Sequence, residues 1–196
     1  MPSKIRITQT LLSSYRYIYL TENGWESFLK TINRQKEPPT QAMLDGTRFE
    51  GMVNAALDGN MCQPDHEWYK VVSECAAMLK GSQQQVTIFR DIWIDGQPIL
   101  LHGVLDFLKA GQIYDTKFST TYHRGKYLLS PQTSMYFRLV PEAYRFTYVI
   151  ADNHYVYTES YEPDDVEPIE TTIKAFLAFV KRAGLWDTLV EKWSSH

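Results

Sequence analysis

A mixed α/β fold, with a central sheet flanked by helices, is predicted by three features of the chain. Apolar residues recur at helical spacing through the first eighty positions. From Val86 the period shortens to two, and a helical period returns at the C-terminal end. The dipeptides Asp95-Gly96 and Ala110-Gly111 then cut the middle of the chain into an antiparallel meander, with further strands expected beyond it.

The first elements read as helices. Leu11, Leu12, Tyr15, Ile18 and Tyr19 follow a cap at Thr8 or Thr10, and Trp25, Phe28, Leu29 and Ile32 repeat the spacing. Pro38 and Pro39 break the chain. A third helix starts near Thr40 and carries Met43, Phe49, Val53 and Leu57 with Glu50 among them, and a fourth runs from Pro64 to a glycine stop at Gly81. The meander takes Val86 to Ile94, Ile99 to Phe107 and Ile113 to Phe118. Ser130 and Pro131 are a cap and a first helical residue for Gln132 to Val140. Arg145 to Ala151 and Tyr155 to Tyr161 form a hairpin about Asp152-Asn153, and Ile169, Ile173, Phe176, Leu177 and Val180 line a final helix before Gly184. The expected organisation is one domain over 1–196, with a helical part at 1–82, a sheet core at 83–162 that includes the Gln132–Tyr136 helix, and C-terminal helices at 163–196.

Composition narrows the function. At 196 residues and 44% hydrophobic content the chain can bury a core without staples. A formal charge of −3 argues against a strongly basic nucleic-acid scaffold and leaves room only for a local basic groove. Cys62 and Cys75 are too few for a four-cysteine iron–sulfur cluster or zinc site, and both read as small buried hydrophobes. With no apolar run of signal-peptide or membrane-spanning character, the expectation is a cytoplasmic protein of a bacterial or phage-infected cell, with no membrane partner.

The chemistry concentrates in Gly103-Val104-Leu105-Asp106 and Ile113-Tyr114-Asp115-Thr116-Lys117. Alternation along a strand puts Asp115 and Lys117 on one face, roughly 7 Å apart. A two-residue turn at Ala110-Gly111 pairs Lys109 with Gln112 and sets Asp106 opposite Asp115, with Cβ atoms about 5 Å apart. Carboxylates that close repel by ~4 kcal/mol at an effective dielectric near 20, and a divalent cation removes the repulsion. Mg²⁺ suits the all-oxygen donor set, two carboxylates with a backbone carbonyl such as that of Thr116, and Lys117 beside it is a charged donor for an attacking water or a phosphorane. A plain hairpin salt bridge between Asp115 and Lys117 on an exposed face is the alternative, disfavoured by the apolar flanks Ile99 to Leu101, Val104, Leu105 and Ile113.

These residues resemble the PD-(D/E)XK nuclease superfamily, in its RecB-type branch of phage and CRISPR-associated exonucleases. The resemblance rests on Asp106, on Asp115-Thr116-Lys117, on Gln132 and Tyr136 as a Gln-x-x-x-Tyr helix, and on Gly46-Thr47-Arg48-Phe49-Glu50 where that branch carries a Gly-x-x-x-His or acidic motif. It covers roughly residues 40 to 160 and implies a restriction-endonuclease-like core. Implied with it are Glu50, Asp106, Asp115 and the Thr116 carbonyl as metal ligands, Lys117 as catalytic cation, and Gln132 and Tyr136 as groups that position the substrate or the lysine. Glu50 in place of histidine still ligates Mg²⁺, with Mn²⁺ as an alternative. The cysteine set of some relatives is missing, which implies a cluster-free member.

The loop Ser119 to Tyr127 mixes Tyr122, His123, Arg124 and Lys126, cations for phosphates and rings for unpaired bases, so linear or single-stranded DNA ends are the expected ligands. The expectation is therefore an Mg²⁺-dependent DNA exonuclease, with a homo-oligomer open. The alternatives are a non-catalytic nucleic-acid or protein-binding module on the same fold, which the acidic balance permits, and an endonuclease, for which no base-reading element is evident.

Overall fold

A thirteen-residue strand, β3 (Gln97–Lys109), is the axis of the computed structural model, which describes residues 3–195. Along one edge it pairs for most of its length with β2 (Gln83–Ile94) across the Asp95-Gly96 turn, where both residues take positive φ. The other edge is shared. Its first half pairs in parallel with β1 (Lys4–Thr8) and its last three residues pair antiparallel with β4 (Gln112–Phe118). Between the two partners, Gly103 to Asp106 face a gap in the sheet.

The remaining strands complete a seven-stranded mixed sheet. β5 (Arg145–Ala151) pairs in parallel with β4, β6 (Val156–Tyr161) pairs antiparallel with β5, and β7 (Ser194–Ser195) adds to β1. The order is β6-β5-β4-β3-β1-β7, with β2 beside β3.

Helices cover the sheet as two groups with separate cores. α1 (Gln9–Tyr17), α2 (Gly24–Ile32), α5 (Pro131–Leu139), α6 (Ile169–Arg182) and α7 (Trp186–Trp193) bury Leu11, Phe28, Met135, Phe176 and Leu189 against Ile5, Ile7, Leu101 and Phe146. α3 (Gln41–Leu57) and α4 (Tyr69–Leu79) bury Phe49, Val53, Val71 and Cys75 against Phe107 and Val149. Each fully buried Phe contributes roughly 1.5–3 kcal/mol, so each layer is held chiefly by a few aromatic and branched side chains. Burial also lifts the Cys75 thiol to about 12, consistent with a small hydrophobe rather than a reactive thiol.

The predicted fold class, α/β with a mixed sheet flanked by helices, is the observed one, and three boundaries are corrected. Residues 1–82 are not wholly helical: Lys4–Thr8 is a strand, because Ile5 and Ile7 alternate into the core while Lys4, Arg6 and Thr8 do not. Thr8 both ends that strand and caps α1, its hydroxyl accepting from the Leu11 amide at 3.3 Å. The helix expected from Pro64 begins at Tyr69, since residues 64–68 form turns and Trp68 packs into the second core. Beyond Gly184 the chain adds α7, whose Trp193 indole donates to the Ile32 carbonyl at 2.8 Å, and β7. No helix among the described residues is long and apolar enough to cross a membrane.

Candidate active site

Strand alternation fails at one place, and the candidate centre lies there. Leu105 and Phe107 would share a face of a regular strand, yet Leu105 packs in the first core and Phe107 in the second. The β2–β3 register runs from Gln84↔Phe107 to Val86↔Leu105 and omits the pair between them, Gln85 and Asp106. Gln85 has φ +50°, a left-handed conformation that costs a non-glycine residue on the order of 1 kcal/mol. The strand pair turns its faces over at this point, and Asp106 is delivered into the gap between β1 and β4.

α5 closes over the gap. The packing at Gly103 is close: a Cβ there would stand 2.6 Å from Leu139 Cδ1 and 2.9 Å from Tyr136 Cε1, so both side chains would have to shift to admit one. The Tyr136 hydroxyl donates at 2.7 Å to the Val104 carbonyl, supplying a partner where no strand does. Tyr136, expected to address the substrate or the lysine, is thus nearly buried and spends its hydroxyl on the sheet. Ser130 caps α5 by accepting from the Gln132 amide at 3.3 Å, which fixes the helix so that Gln132 points inward.

Asp115 lies at the centre with only 2% exposure. Its Oδ1 accepts a short hydrogen bond from Gln132 Nε2. Its Oδ2 is buried without a hydrogen bond of good geometry, although the Lys117 ammonium stands 2.6 Å away as an ion pair. The Ala110-Gly111 turn holds the register Lys109↔Gln112, Leu108↔Ile113 and Phe107↔Tyr114, after which the strands part. Asp106 and Asp115 are therefore not a ladder pair. Asp106 instead reaches β4 through Oδ2, which accepts from the Thr116 amide at 3.2 Å.

The electrostatics match this geometry. Burial, then the negative charges of Asp115 and Glu50, push the Asp106 carboxyl up to about 8, more than Lys117 and the Thr116 amide pull it back. For Lys117, burial alone would lower the ammonium, but Asp115 holds it above its ordinary value. The lysine stays charged. It keeps 31% of its side chain exposed, and so remains open to a ligand.

Glu50 stands nearby on α3, held by a 2.9 Å bond from Gln85 Nε2. Among the described residues no three His, Cys, Asp or Glu side chains form a ready-made metal cage. The donor set still fits a hard cation: two carboxylates at the centre, one of them with an oxygen lacking a hydrogen bond and the other disfavoured as an anion, and a third carboxylate close enough to be felt. Thr116 enters through its amide, and its hydroxyl is buried without a partner.

The loop over 119–130 contributes less freely than its composition implies. The Tyr122 hydroxyl donates at 2.7 Å to Glu159, and its ring lies between Tyr127 and Tyr157, so it braces the loop. His123 and Arg124 are exposed, and Lys126 donates to Ser119 Oγ at 2.7 Å. Lys126 and Lys117 line a cavity of about 300 Å³ with Gln132 and with Gln9, Ser13 and Arg16 of α1. Those α1 residues escaped the sequence reading, since a lone Arg or Gln on an amphipathic helix carries no spacing signal. Gln85 escaped it too; a Gln run leading into a strand does not announce a left-handed residue.

No family model matches the chain, and a comparison with curated proteins finds no match. Solved structures do match. One, entitled "Crystal structure of SSO0001", is similar at 15% identity with a TM-score of 0.55, over 93% of this chain and 78% of that one, a likeness of fold alone.

Proposed function

We propose that the protein is a metal-dependent nuclease that hydrolyses DNA phosphodiester bonds, most readily as an exonuclease on linear or single-stranded ends. The observation that carries this reading is the buried Asp115 and half-buried Asp106 facing a charged, partly exposed Lys117 in a break of the sheet. Two carboxylates so placed are costly in a structural role, and a cation neutralises them.

Asp106 and Asp115 would hold Mg²⁺ or Mn²⁺, with Glu50 as the further oxygen donor. When bound, the ion supplies Lewis acidity at the phosphoryl oxygen and an acidified water. The chain's own residues do the rest. Gln132 fixes the orientation of Asp115, the Thr116 amide fixes Asp106, and Lys117 presents a permanent positive charge toward the phosphate. As an ammonium it acts as a donor, not as a base. Arg16 and Lys126 along the adjoining cavity offer contacts to flanking phosphates.

Linear DNA incubated with Mg²⁺ or Mn²⁺ should lose nucleotides, and Lys117→Ala and Asp115→Asn should each slow release by about 10²-fold or more at an unchanged fold, checked by melting. Absence of release, or release by Lys117→Ala at the parent's rate, overturns the reading. The dispersed carboxylates favour one rival, a binding module without catalysis. Such a module would show no Mg²⁺-linked rise in melting temperature, whereas a filled site must stabilise the fold by mass action.

A further inference from the structure

The sheet keeps one long open edge. β2 pairs only with β3, and among the described residues no backbone group of 83–94 bonds to the backbone of any other element. The two residues flanking a two-residue hairpin turn exchange hydrogen bonds, so the pair Ile94 and Gln97 sets the alternation along the ladder. Ile94, Ile92, Arg90 and Ile88 turn their N–H and C=O groups toward β3. Trp93, Asp91, Phe89 and Thr87 turn theirs outward, and the left-handed Gln85 ends the regular stretch.

Natural proteins blunt such edges with lysine, proline or a covering element. β2 contains neither residue. Its two charges are turned to partners within the chain: Arg90 Nε donates to the Leu139 carbonyl at 3.2 Å, and Asp91 accepts from the Lys4 ammonium at 2.8 Å. Two large rings on the outward-bonding residues stand in solvent, Phe89 at 56% and Trp93 at 69% exposure, on the face opposite the buried Ile92 and Ile94. Phe89 stacks on the His102 ring with centroids 4.6 Å apart, so it is already ordered and loses little freedom on association.

We infer that two copies of the chain pair antiparallel along this edge, about a twofold axis at Phe89, and join their sheets into one. The edge needs no foreign strand, since about such an axis each outward N–H meets a C=O of the same segment in the second copy. Charge and backbone fix the register. Centring on Arg90 sets the two arginines against each other and centring on Asp91 sets the two aspartates together, like pairs that destabilise a ladder. Centring on Ile88 draws the left-handed Gln85 into the pairing. With Phe89 on the axis, Thr87 faces Asp91 of the second copy, Ile88 faces Arg90, and about six backbone hydrogen bonds form over 87–91. The two Phe89 rings meet on the uncovered face. With Trp93 at each flank the buried surface is on the order of 1,000 Å², the lower bound for a specific interface. β3 separates β2 from the gap in the sheet, so the cavity beside Lys117 stays open in the pair and the inference stands apart from the nuclease reading.

The test is sedimentation velocity of the full chain over a series of loading concentrations. At micromolar loading the main species should have twice the 22.8 kDa mass of one chain. Phe89→Lys places two ammonium groups at the axis, and Thr87→Pro removes an N–H that only the pairing uses. Each should raise the dimer dissociation constant at least about tenfold. Trp93→Lys, at a position exposed in the single chain, decides the matter if either variant fails to fold. Tyr155→Lys, exposed beside β6 at the far end of the sheet, should leave the dimer unchanged. In hydrogen exchange, the amides of 87–91 should be better protected at high than at low protein concentration.

A monomer at every concentration overturns the inference, as does a dimer that survives both Phe89→Lys and Trp93→Lys. A trimer or larger assembly overturns it too, because twofold pairing consumes the edge and closes at two copies. Protection of 87–91 that does not change with concentration means that the edge is covered within one chain, and has the same effect. A dimer lost in Phe89→Lys but intact in a folded Thr87→Pro removes the strand pairing and leaves only contact between rings.

Discussion

Two buried carboxylate sites, one on each side of the β4–β5 ribbon, are treated in opposite ways. Glu159 on β6 accepts from the Tyr122 hydroxyl, the Tyr161 hydroxyl and the Gly125 amide. Burial pushes its pKa up, but those three donors outweigh it and hold the carboxyl below its ordinary value. Asp106 and Asp115 share one lysine and two amides, Asp106 is raised to about 8, and one Asp115 oxygen lacks a hydrogen bond. The first site is satisfied by its own chain and fastens the loop over 119–130. The second is satisfied only in part, and the residual demand for positive charge is what makes it a candidate centre.

The sharpest break in the comparison comes from removing each carboxylate. Glu159→Ala strands three donors and should cost about 3 kcal/mol, read as a lower denaturant midpoint. Asp106→Asn, which keeps an acceptor for the Thr116 amide, should raise stability at pH 8 without divalent cation, on the order of 2 kcal/mol once relaxation and water entry are allowed for. Loss of stability in Asp106→Asn would mean that the pair is structural after all.

The pH dependence has opposite signs at the two sites. Between about pH 4 and 8 the folded protein holds a proton on Asp106 that the unfolded chain has released, so cation-free stability should fall as pH rises through that window. Glu159 contributes stability above the ordinary carboxylate range, which is lost as pH drops through its lowered folded value. Thermal melts in EDTA at several pH values should show the upper slope in the parent and not in Asp106→Asn. Added Mg²⁺ should flatten that slope.

The smallest effect concerns how the centre is assembled. Gln85→Gly relieves a left-handed residue and should gain up to about 1 kcal/mol, less the added freedom of the unfolded chain. It also releases Glu50, so the Mg²⁺-linked rise in melting temperature should shrink even though the cation-free protein is no less stable. A fall in cation-free stability would show that the Gln85 amide matters more than its backbone.

What could be read in advance follows from the range of the forces involved. The meander, the Ala110-Gly111 register, the Thr40 and Ser130 caps and the amphipathic helices are set within a few residues by turn chemistry, capping and periodicity, and the sequence alone determined them. The same locality placed Asp115 and Lys117 on one face and aimed Gln132 along α5 toward them. Three things needed the folded chain. Pairing of Lys4–Thr8 with a strand ninety residues away is a long-range choice that five residues cannot signal. The reversal at Gln85 and Asp106 arises because two separate cores claim Leu105 and Phe107, a conflict visible only when both cores exist. Arg6, Arg34 and His102 line one cavity although they lie far apart in the chain, a juxtaposition that belongs to the space between elements and to no local stretch of sequence.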